Sequence, residues 1–233
     1  MEIHKPKAAH SLRDFAIELL TIVAGILIAI ALEQTVEAHH WHEKVRAARE
    51  SLRDELRMTD DFYQFRVAAN ECVARRLSQL NEIVESLAEH REEPLVGDLT
   101  LHLGQLLSDD AWQSEKAAQT AAHLPPGELQ QYSLIYAQQS DIRGWENQEE
   151  SAWAAIRILQ GNPNRLSPSD LTVIRQNIQV ARSLNFLVVV NSVDQLERSS
   201  KLGVTKAAMD AARARAACAP LKREAPSIPY TTF

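Results

Sequence analysis

Residues 19–42 read LLTIVAGILIAIALEQTVEAHHWH and pass from an apolar run into carboxylates and histidines without a turn residue. Leu19–Leu32 is a run of fourteen residues without a charge, and counting from Phe15 gives eighteen residues that include one carboxylate, Glu18. Eighteen helical residues extend about 27 Å, close to the roughly 30 Å thickness of a bilayer's hydrocarbon core. The stretch therefore predicts a transmembrane helix at residues 15–36.

A cleaved signal peptide is the alternative interpretation of the same stretch. A basic segment at residues 1–14 precedes the apolar run, and Ala29-Ile30-Ala31 has the A-x-A form of a cleavage site. Two features favour an uncleaved anchor. Glu18 lies near the start of the apolar run, and the residues that follow Ala31 remain compatible with a helix.

The distribution of basic residues predicts the orientation of the anchor. Lys5, Lys7 and Arg13 precede the span, whereas the first basic residue beyond it is Lys44. Positive charge concentrates on the cytoplasmic side of membrane helices. We therefore expect a single-pass inner-membrane protein with a cytoplasmic N-terminus, a mostly periplasmic chain, and membrane lipid as its first partner.

One side of the membrane helix carries small and polar residues, at 100° per residue, while the opposite side is bulky and aliphatic. Small residues spaced by four allow two helices to approach closely, and a carboxylate in lipid needs a partner. This interface stripe predicts contact with a second copy or with another membrane protein. The alternative is that Glu18 reaches the headgroups and the glycine is incidental. The stripe consists of Glu18, Thr21, Gly25, Ala29 and Glu33.

Two short motifs follow one another in the N-terminal third. F-x-x-E followed by G-x-L-I-A runs from Phe15 to Ala29, and E-Q-x-V-E followed by H-x-H runs from Glu33 to His42. In both motifs the chain resembles a family of uncharacterised bacterial single-pass membrane proteins with a glutamate-bearing membrane helix. The resemblance implies an uncleaved anchor, and it implies no activity.

Glycine and proline are scarce, since the 233 residues include 7 Gly and 9 Pro and neither occurs between Ile26 and Glu93. This predicts an all-α fold, in which the N-terminal transmembrane helix continues into a long amphipathic helix and an antiparallel helical bundle. We assign the bundle to residues 37–219 and a disordered tail to residues 220–233. Connectors are expected near residues 92–98, 124–127 and 161–169.

The first helix has a clear start and no clear stop. Ser11 and Asp14 have the S-x-x-D form of a capping box. An unbroken helix from Ser11 to Glu92 would be about 120 Å long, more than a compact domain needs. We therefore expect a kink or restart at MTDDF, residues 58–62, with Thr59 or Asp60 as the cap.

The later helices are predicted from caps and apolar spacing. Asp98 and Ser108 are expected to open short helices at residues 99–107 and 111–123. Pro126 suits the first position of a long helix at residues 127–160. The last long helix is expected at residues 170–202, with FLVVV in the bundle core. Gly203 is predicted as its C-cap, and its core face is Leu171, Ile174, Ile178, Ala181, Leu184 and Val188.

Histidines cluster just beyond the predicted span. Glu33, Glu37 and His40 follow at i, i+4 and i+7, a spacing that metal-binding bundles use. No second E-x-x-H occurs in the chain, so further metal ligands would have to come from a second copy. The alternative is that the rings of His39, Trp41 and His42 anchor the chain in the headgroup region.

No signature of catalysis is present in the sequence. It contains no G-x-S-x-G, glycine-rich phosphate loop or H-E-x-x-H. We therefore expect no enzyme activity and no cofactor. The tryptophans Trp112, Trp145 and Trp153 are expected to fill the core rather than a ligand pocket. A charged patch is expected to face water, formed by Arg143, Glu146, Glu149 and Glu150.

The overall charge and the cysteines restrict the partners. The net charge is -6 and no Lys/Arg stripe is present, which makes nucleic acid an unsuitable partner. Cys72 and Cys218 form no C-x-x-C motif, and the sequence does not decide whether they form a disulfide with each other. The sequence favours a membrane-anchored interaction or structural protein that is a homo-oligomer or part of a membrane complex. A ligand-sensing periplasmic bundle is the main alternative, and a membrane-tethered enzyme is disfavoured.

Overall fold

The computed structural model describes residues 11–99, 103–105, 107–205 and 211–223. The all-α prediction is confirmed, since the described residues contain helices, loops and a single isolated β-bridge between Val96 and Gly161. Short 3-10 turns lie at Thr120–His123, Arg157–Leu159 and Pro163–Arg165. The α-helices are α1 (Leu12–Ala88), α2 (Asp110–Ala117), α3 (Pro126–Ile156), α4 (Pro168–Lys201) and α5 (Ala211–Ala217).

Helix α1 is one unbroken helix of 77 residues, about 115 Å long. Its predicted start is confirmed, because the Ser11 side chain accepts a hydrogen bond from the Asp14 amide. The predicted break at residues 58–62 is wrong. Thr59 donates its hydroxyl hydrogen bond to the Glu55 carbonyl one turn earlier, and Asp60 accepts a bond from Ser199 of α4. Both candidate caps are thus engaged within the bundle.

The region between α1 and α3 is less helical than expected. The described residues 99, 103–105 and 107 are not helical, so the helix predicted at 99–107 is wrong for these residues, and residues 100–102 and 106 lie outside the described part of the chain. The helix predicted at 111–123 is divided into α2 and a 3-10 turn by Gln119, whose φ of 61° lies in the left-handed region. Pro126 begins α3, as predicted.

Helix α4 confirms most of its prediction. A full capping box between Ser167 and Asp170 starts it, and Gly203 follows it at a φ of +76°. All six residues of the predicted core face are buried. The FLVVV run is helical, but its assignment to the core is wrong for Phe186, Leu187 and Val190, which are 64%, 37% and 49% exposed. They lie on the face of α4 that points away from both neighbouring helices.

The three long helices form the bundle. Helix α4 packs closely against both α1 and α3 and runs antiparallel to each. Arg175 near its start binds Glu85 near the end of α1, and the Leu202 carbonyl after its end accepts a bond from Arg53. Residues of α1 before Trp41 extend beyond the bundle.

A disulfide joins Cys72 of α1 to Cys218, after α5. Next to it, a guanidinium nitrogen of Arg76 donates to the Ala219 carbonyl, and the Gly97 amide donates to the Lys222 carbonyl at 2.9 Å. Of the tail predicted as disordered, residues 220–223 therefore pack on the bundle, and residues 224–233 lie outside the described residues. The pair closes a chain segment with a sequence separation of 146 residues.

Candidate functional site

The first part of α1 has no packing partner among the described residues. Every residue from Ser11 to His40 is exposed. The segment is long and apolar enough to cross a membrane, and none of its most apolar window is buried. Its large apolar side chains are Leu12, Phe15, Ile17, Leu19, Leu20, Ile22, Val23, Ile26, Leu27, Ile28, Ile30, Leu32 and Val36.

The interface stripe lies on this exposed segment. A Cβ atom added at Gly25 would meet no atom within 4 Å, so the notch at this position is open. Thr21 donates its hydroxyl hydrogen bond to the Ile17 carbonyl at 2.8 Å, which leaves its methyl group and lone pairs at the surface. Because α1 is unbroken, Gly25 and buried Leu52 are about 180° apart around the helix. The stripe therefore faces away from the bundle.

A ring cluster marks the point where α1 enters the bundle. The Trp41 ring stacks on His123 of the 3-10 turn, with centroids 3.7 Å apart and planes at 14°. The ammonium nitrogen of Lys44 lies 4.7 Å from the centroid of Trp41. His39 and His42, the other predicted anchor residues, are exposed on either side. His123 was missed by the sequence interpretation because it is 82 positions from Trp41.

The metal candidates Glu33, Glu37 and His40 are all exposed on α1. One oxygen of Glu37 accepts a long hydrogen bond of 3.4 Å from the Trp41 indole nitrogen. Within the described residues, no three His, Cys, Asp or Glu side chains are grouped to hold a metal ion. A site at these residues would need ligands from a second chain.

A layer of buried charge lies halfway up the bundle. The Arg66 guanidinium donates to Glu149 of α3 at 2.7 Å and to the Asn185 side chain of α4 at 3.1 Å. Asn185 donates onward to Asn70 at 2.8 Å. The side chains of Arg66 and Glu149 are only 1% and 2% exposed. This polar layer, defined by Arg66, Asn70, Glu149 and Asn185, joins all three long helices.

A second buried carboxylate holds the base of the bundle together. Glu55 of α1 accepts a hydrogen bond from the Tyr136 hydroxyl at 2.7 Å, and its other oxygen accepts from the Ser108 hydroxyl and the Ala111 amide, each at 2.9 Å. The Ala111 amide belongs to the first turn of α2, where backbone donors lack helical partners and negative charge is favoured. Glu55 thus caps the N-terminus of α2, because the side chain of Asp109 forms no capping hydrogen bond.

Burial shifts the pKa values of several tyrosine and glutamate side chains in the bundle. It raises the pKa of Tyr63 and Tyr136 above the ordinary value of 10, with nearby Glu146 adding to the effect at Tyr63 and Glu55 at Tyr136. Burial also raises the pKa of Glu149, although the charge of Arg66 opposes the shift. Desolvation therefore outweighs the ion pair in setting the acidity of Glu149.

The prediction that a charged patch at residues 143–150 faces water is wrong in part. Glu146 and Glu149 are buried, Arg143 is half-buried and donates to the Leu107 carbonyl, and only Glu150 is exposed as expected. The tryptophan expectation holds better, because Trp112 and Trp153 are buried and Trp145 packs partly buried against the middle of the core.

The seven-residue spacing of the sequence could have predicted the polar layer, although the charges alone indicated a surface position. One series of residues spaced by seven along α1 is buried, and Arg66 is a member of that series. Glu149 likewise lies in a seven-residue series on α3 with Ile135, Ile142 and Ile156. A charged residue at a core position of a heptad repeat indicates a buried polar contact. The series on α1 is Leu52, Thr59, Arg66, Val73, Leu80 and Leu87.

Comparisons with known proteins supply no further assignment. No family model, no curated protein and no solved structure matches this chain. The resemblance of residues 15–42 to a family of bacterial single-pass proteins therefore stays an expectation, and the fold is assigned from the chain's own helices.

Proposed function

We propose that the protein is a single-pass membrane-anchored interaction protein, whose helical bundle is fixed to the bilayer by the first part of α1. One observation carries this proposal, namely the exposed apolar segment that continues without a break into the bundle. Each large aliphatic or aromatic side chain gains about 1.5–3 kcal/mol on leaving water, and the segment presents thirteen of them. A bilayer is the environment that satisfies them all.

The disulfide supports a periplasmic bundle in this proposal. Disulfides persist in oxidising compartments and are rare in the cytosol of mesophiles. Cys72 and Cys218 are both beyond the span, on the side opposite the basic N-terminal residues. The positive-inside rule and the disulfide therefore favour the same orientation, with the N-terminus in the cytoplasm.

The interface stripe supports assembly through the membrane helix, either with a second copy or with a foreign helix. Since the stripe faces away from the bundle, a partner helix would approach without colliding with α3 or α4. Above the membrane, the same side of α1 carries mixed charge. Two of its acidic residues are paired with arginines one turn away, Glu43 with Arg46 and Asp54 with Arg57. We therefore place the close helix contact within the membrane, where the small residues lie. The acidic residues within about 20° of Gly25 are Glu43, Glu50, Asp54 and Asp61.

Membrane insertion is tested by extracting isolated membranes with alkaline carbonate and by measuring the intact mass of the retained chain. We expect the full-length chain to stay with the membrane. Release of the chain into the supernatant, or a mature chain that begins near Leu32, would refute the anchor.

Orientation is tested with a membrane-impermeant maleimide on intact cells that carry Glu150→Cys, an exposed position on α3. Labelling without disruption of the inner membrane supports a periplasmic bundle. Labelling that appears only after lysis would place the bundle in the cytoplasm.

Assembly is tested with Gly25→Leu, measured as particle mass in mild detergent by light scattering. Gly25 is exposed and a Cβ atom there meets no atom within 4 Å, so the variant leaves the monomer intact. We expect the mass to fall relative to wild type. Ala24→Leu is the matched control, since it enlarges a side chain about 100° away from Gly25 around the helix. Equal masses for all three proteins would refute the interface.

A second candidate function, ligand sensing by the bundle, is favoured by one observation. The Tyr63 hydroxyl and one Arg66 nitrogen are buried and have no hydrogen-bond partner among the described residues. Because the carboxylates of Glu146 and Glu149 lie beside these donors, a ligand here would be small, polar and uncharged. Thermal unfolding in a screen of small neutral metabolites should then show stabilisation that Tyr63→Phe reduces, and no shift with any of them would count against this function.

A further inference from the structure

We propose that the 3-10 turn between α2 and α3 docks on the lipid headgroup layer beside α1, so that the bundle is held on the membrane at two places. This inference rests on the proposed membrane anchor. We use the name docking turn for residues 118–125, which contain the 3-10 turn Thr120–His123. Its proposed partner is the surface of the bilayer that holds α1.

The first support is the height of the turn above the span. Val36 is the last large apolar residue of the exposed segment, and Trp41 follows five residues later, about 7 Å further along the helix axis. Side chains of a helix lean toward its N-terminus, so the Trp41 ring lies nearer still to the span. The His123 ring is stacked on it and lies at the same height. The headgroup region of a bilayer is about 5–8 Å thick on each side, which includes this height.

The second support is the rigid attachment of the turn to α1. Ala121 and Leu124 are buried in the same apolar cluster as Val45 and Leu52 of α1. Thr120 is buried as well. The intervening residues Ala122 and His123 are exposed, so the turn presents an outer side that is free in the single chain while its inner side is fixed.

The third support is the chemistry of this outer side. Residues 117–127 read AAQTAAHLPPG and contain no Asp, Glu, Lys or Arg. Its exposed residues include Ala118, Gln119, Ala122 and Pro125, so no carboxylate, ammonium or guanidinium has to be desolvated when this side meets the headgroups. Together with the rings of His39, Trp41 and His42, the turn forms the kind of aromatic and amphipathic belt that prefers the membrane–water interface.

The proposal is tested with the full-length protein in nanodiscs of phosphatidylethanolamine and phosphatidylglycerol. A nitroxide is attached at Ala122→Cys, while Cys72 and Cys218 remain joined in their disulfide. Its collision rates with membrane-dissolved oxygen and with a water-soluble nickel chelate report depth. Matched labels at Leu27→Cys and Glu150→Cys define the hydrocarbon and bulk water. We expect the oxygen-to-nickel ratio at Ala122 to lie several-fold above that at Glu150 and below that at Leu27.

Two other outcomes separate the docking turn from the anchor. If the Ala122 label matches the Glu150 label while the Leu27 label lies in hydrocarbon, the anchor stands and the docking turn is refuted. If the Leu27 label is itself in water, the anchor fails and the docking proposal fails with it. The double change Ala122→Cys with Trp41→Ala is expected to shift the label toward water, and an unchanged depth would refute the role of the rings.

Discussion

The polar layer gives the sharpest test of how the bundle is held together. Glu149→Ala would leave the Arg66 guanidinium buried without its carboxylate, which sits 2.7 Å away in the native protein. Removing one partner of a buried ion pair destabilises a protein by about 3–5 kcal/mol. For a domain of this size that loss lowers the melting temperature by about 6–20 °C.

The adjacent residue provides the control. Glu150 has the same chemistry on the same helix but is exposed, so Glu150→Ala should change stability by no more than about 0.5 kcal/mol. Replacing both partners, with Arg66→Met and Glu149→Leu, should recover most of the loss because no uncompensated charge remains.

The measurement is urea and thermal unfolding of the full chain in mild detergent, followed by circular dichroism. The apolar segment stays in the micelle, so the transition reports on the bundle. A loss for Glu149→Ala that matches the loss for Glu150→Ala would refute the burial of the pair. A double variant as unstable as the single one would refute the reasoning that uncompensated charge is the cause.

Three further predictions follow from the same structure. The pKa values of Tyr63, Tyr132 and Tyr136 are raised in the folded protein, so their stabilising contribution is complete below the unfolded value of about 10 and is lost as the pH rises beyond it. Absorbance at 295 nm should therefore show these hydroxyls ionising together with loss of helix, and early ionisation of all three would contradict their burial. Cys218→Ser should cost about 2–4 kcal/mol and render residues 211–223 sensitive to trypsin, whereas equal cleavage of oxidised and reduced wild type would contradict the tether. Nitroxides attached at Glu43→Cys and Glu82→Cys should be about 58 Å apart if α1 is unbroken. A distance shorter by about 10 Å or more would instead indicate a kink at residues 58–62.

Several helix ends were predictable because their signals are local. Ser11 and Asp14, Pro126, and Gly203 act on backbone groups within one turn, so a cap or a left-handed residue marks a helix end wherever it occurs. The core face of α4 was likewise readable from spacing alone, since every residue of that face is buried. The same locality explains the error at Thr59 and Asp60. Both residues are good caps in isolation, and contacts with Glu55 and Ser199 removed them from that role.

The apolar segment of residues 15–36 and the interface stripe were determined by sequence, because transfer from water depends on side-chain composition and helical spacing depends only on backbone geometry. The tertiary structure decided which charges are buried and which rings meet. Arg66 and Glu149 are 83 residues apart in the chain, Trp41 and His123 are 82 apart, and Cys72 and Cys218 are 146 apart. A carboxylate in water and a carboxylate beside a buried guanidinium are identical in the sequence. Only the packing of α3 and α4 against α1 sets the desolvation and the partner that distinguish them.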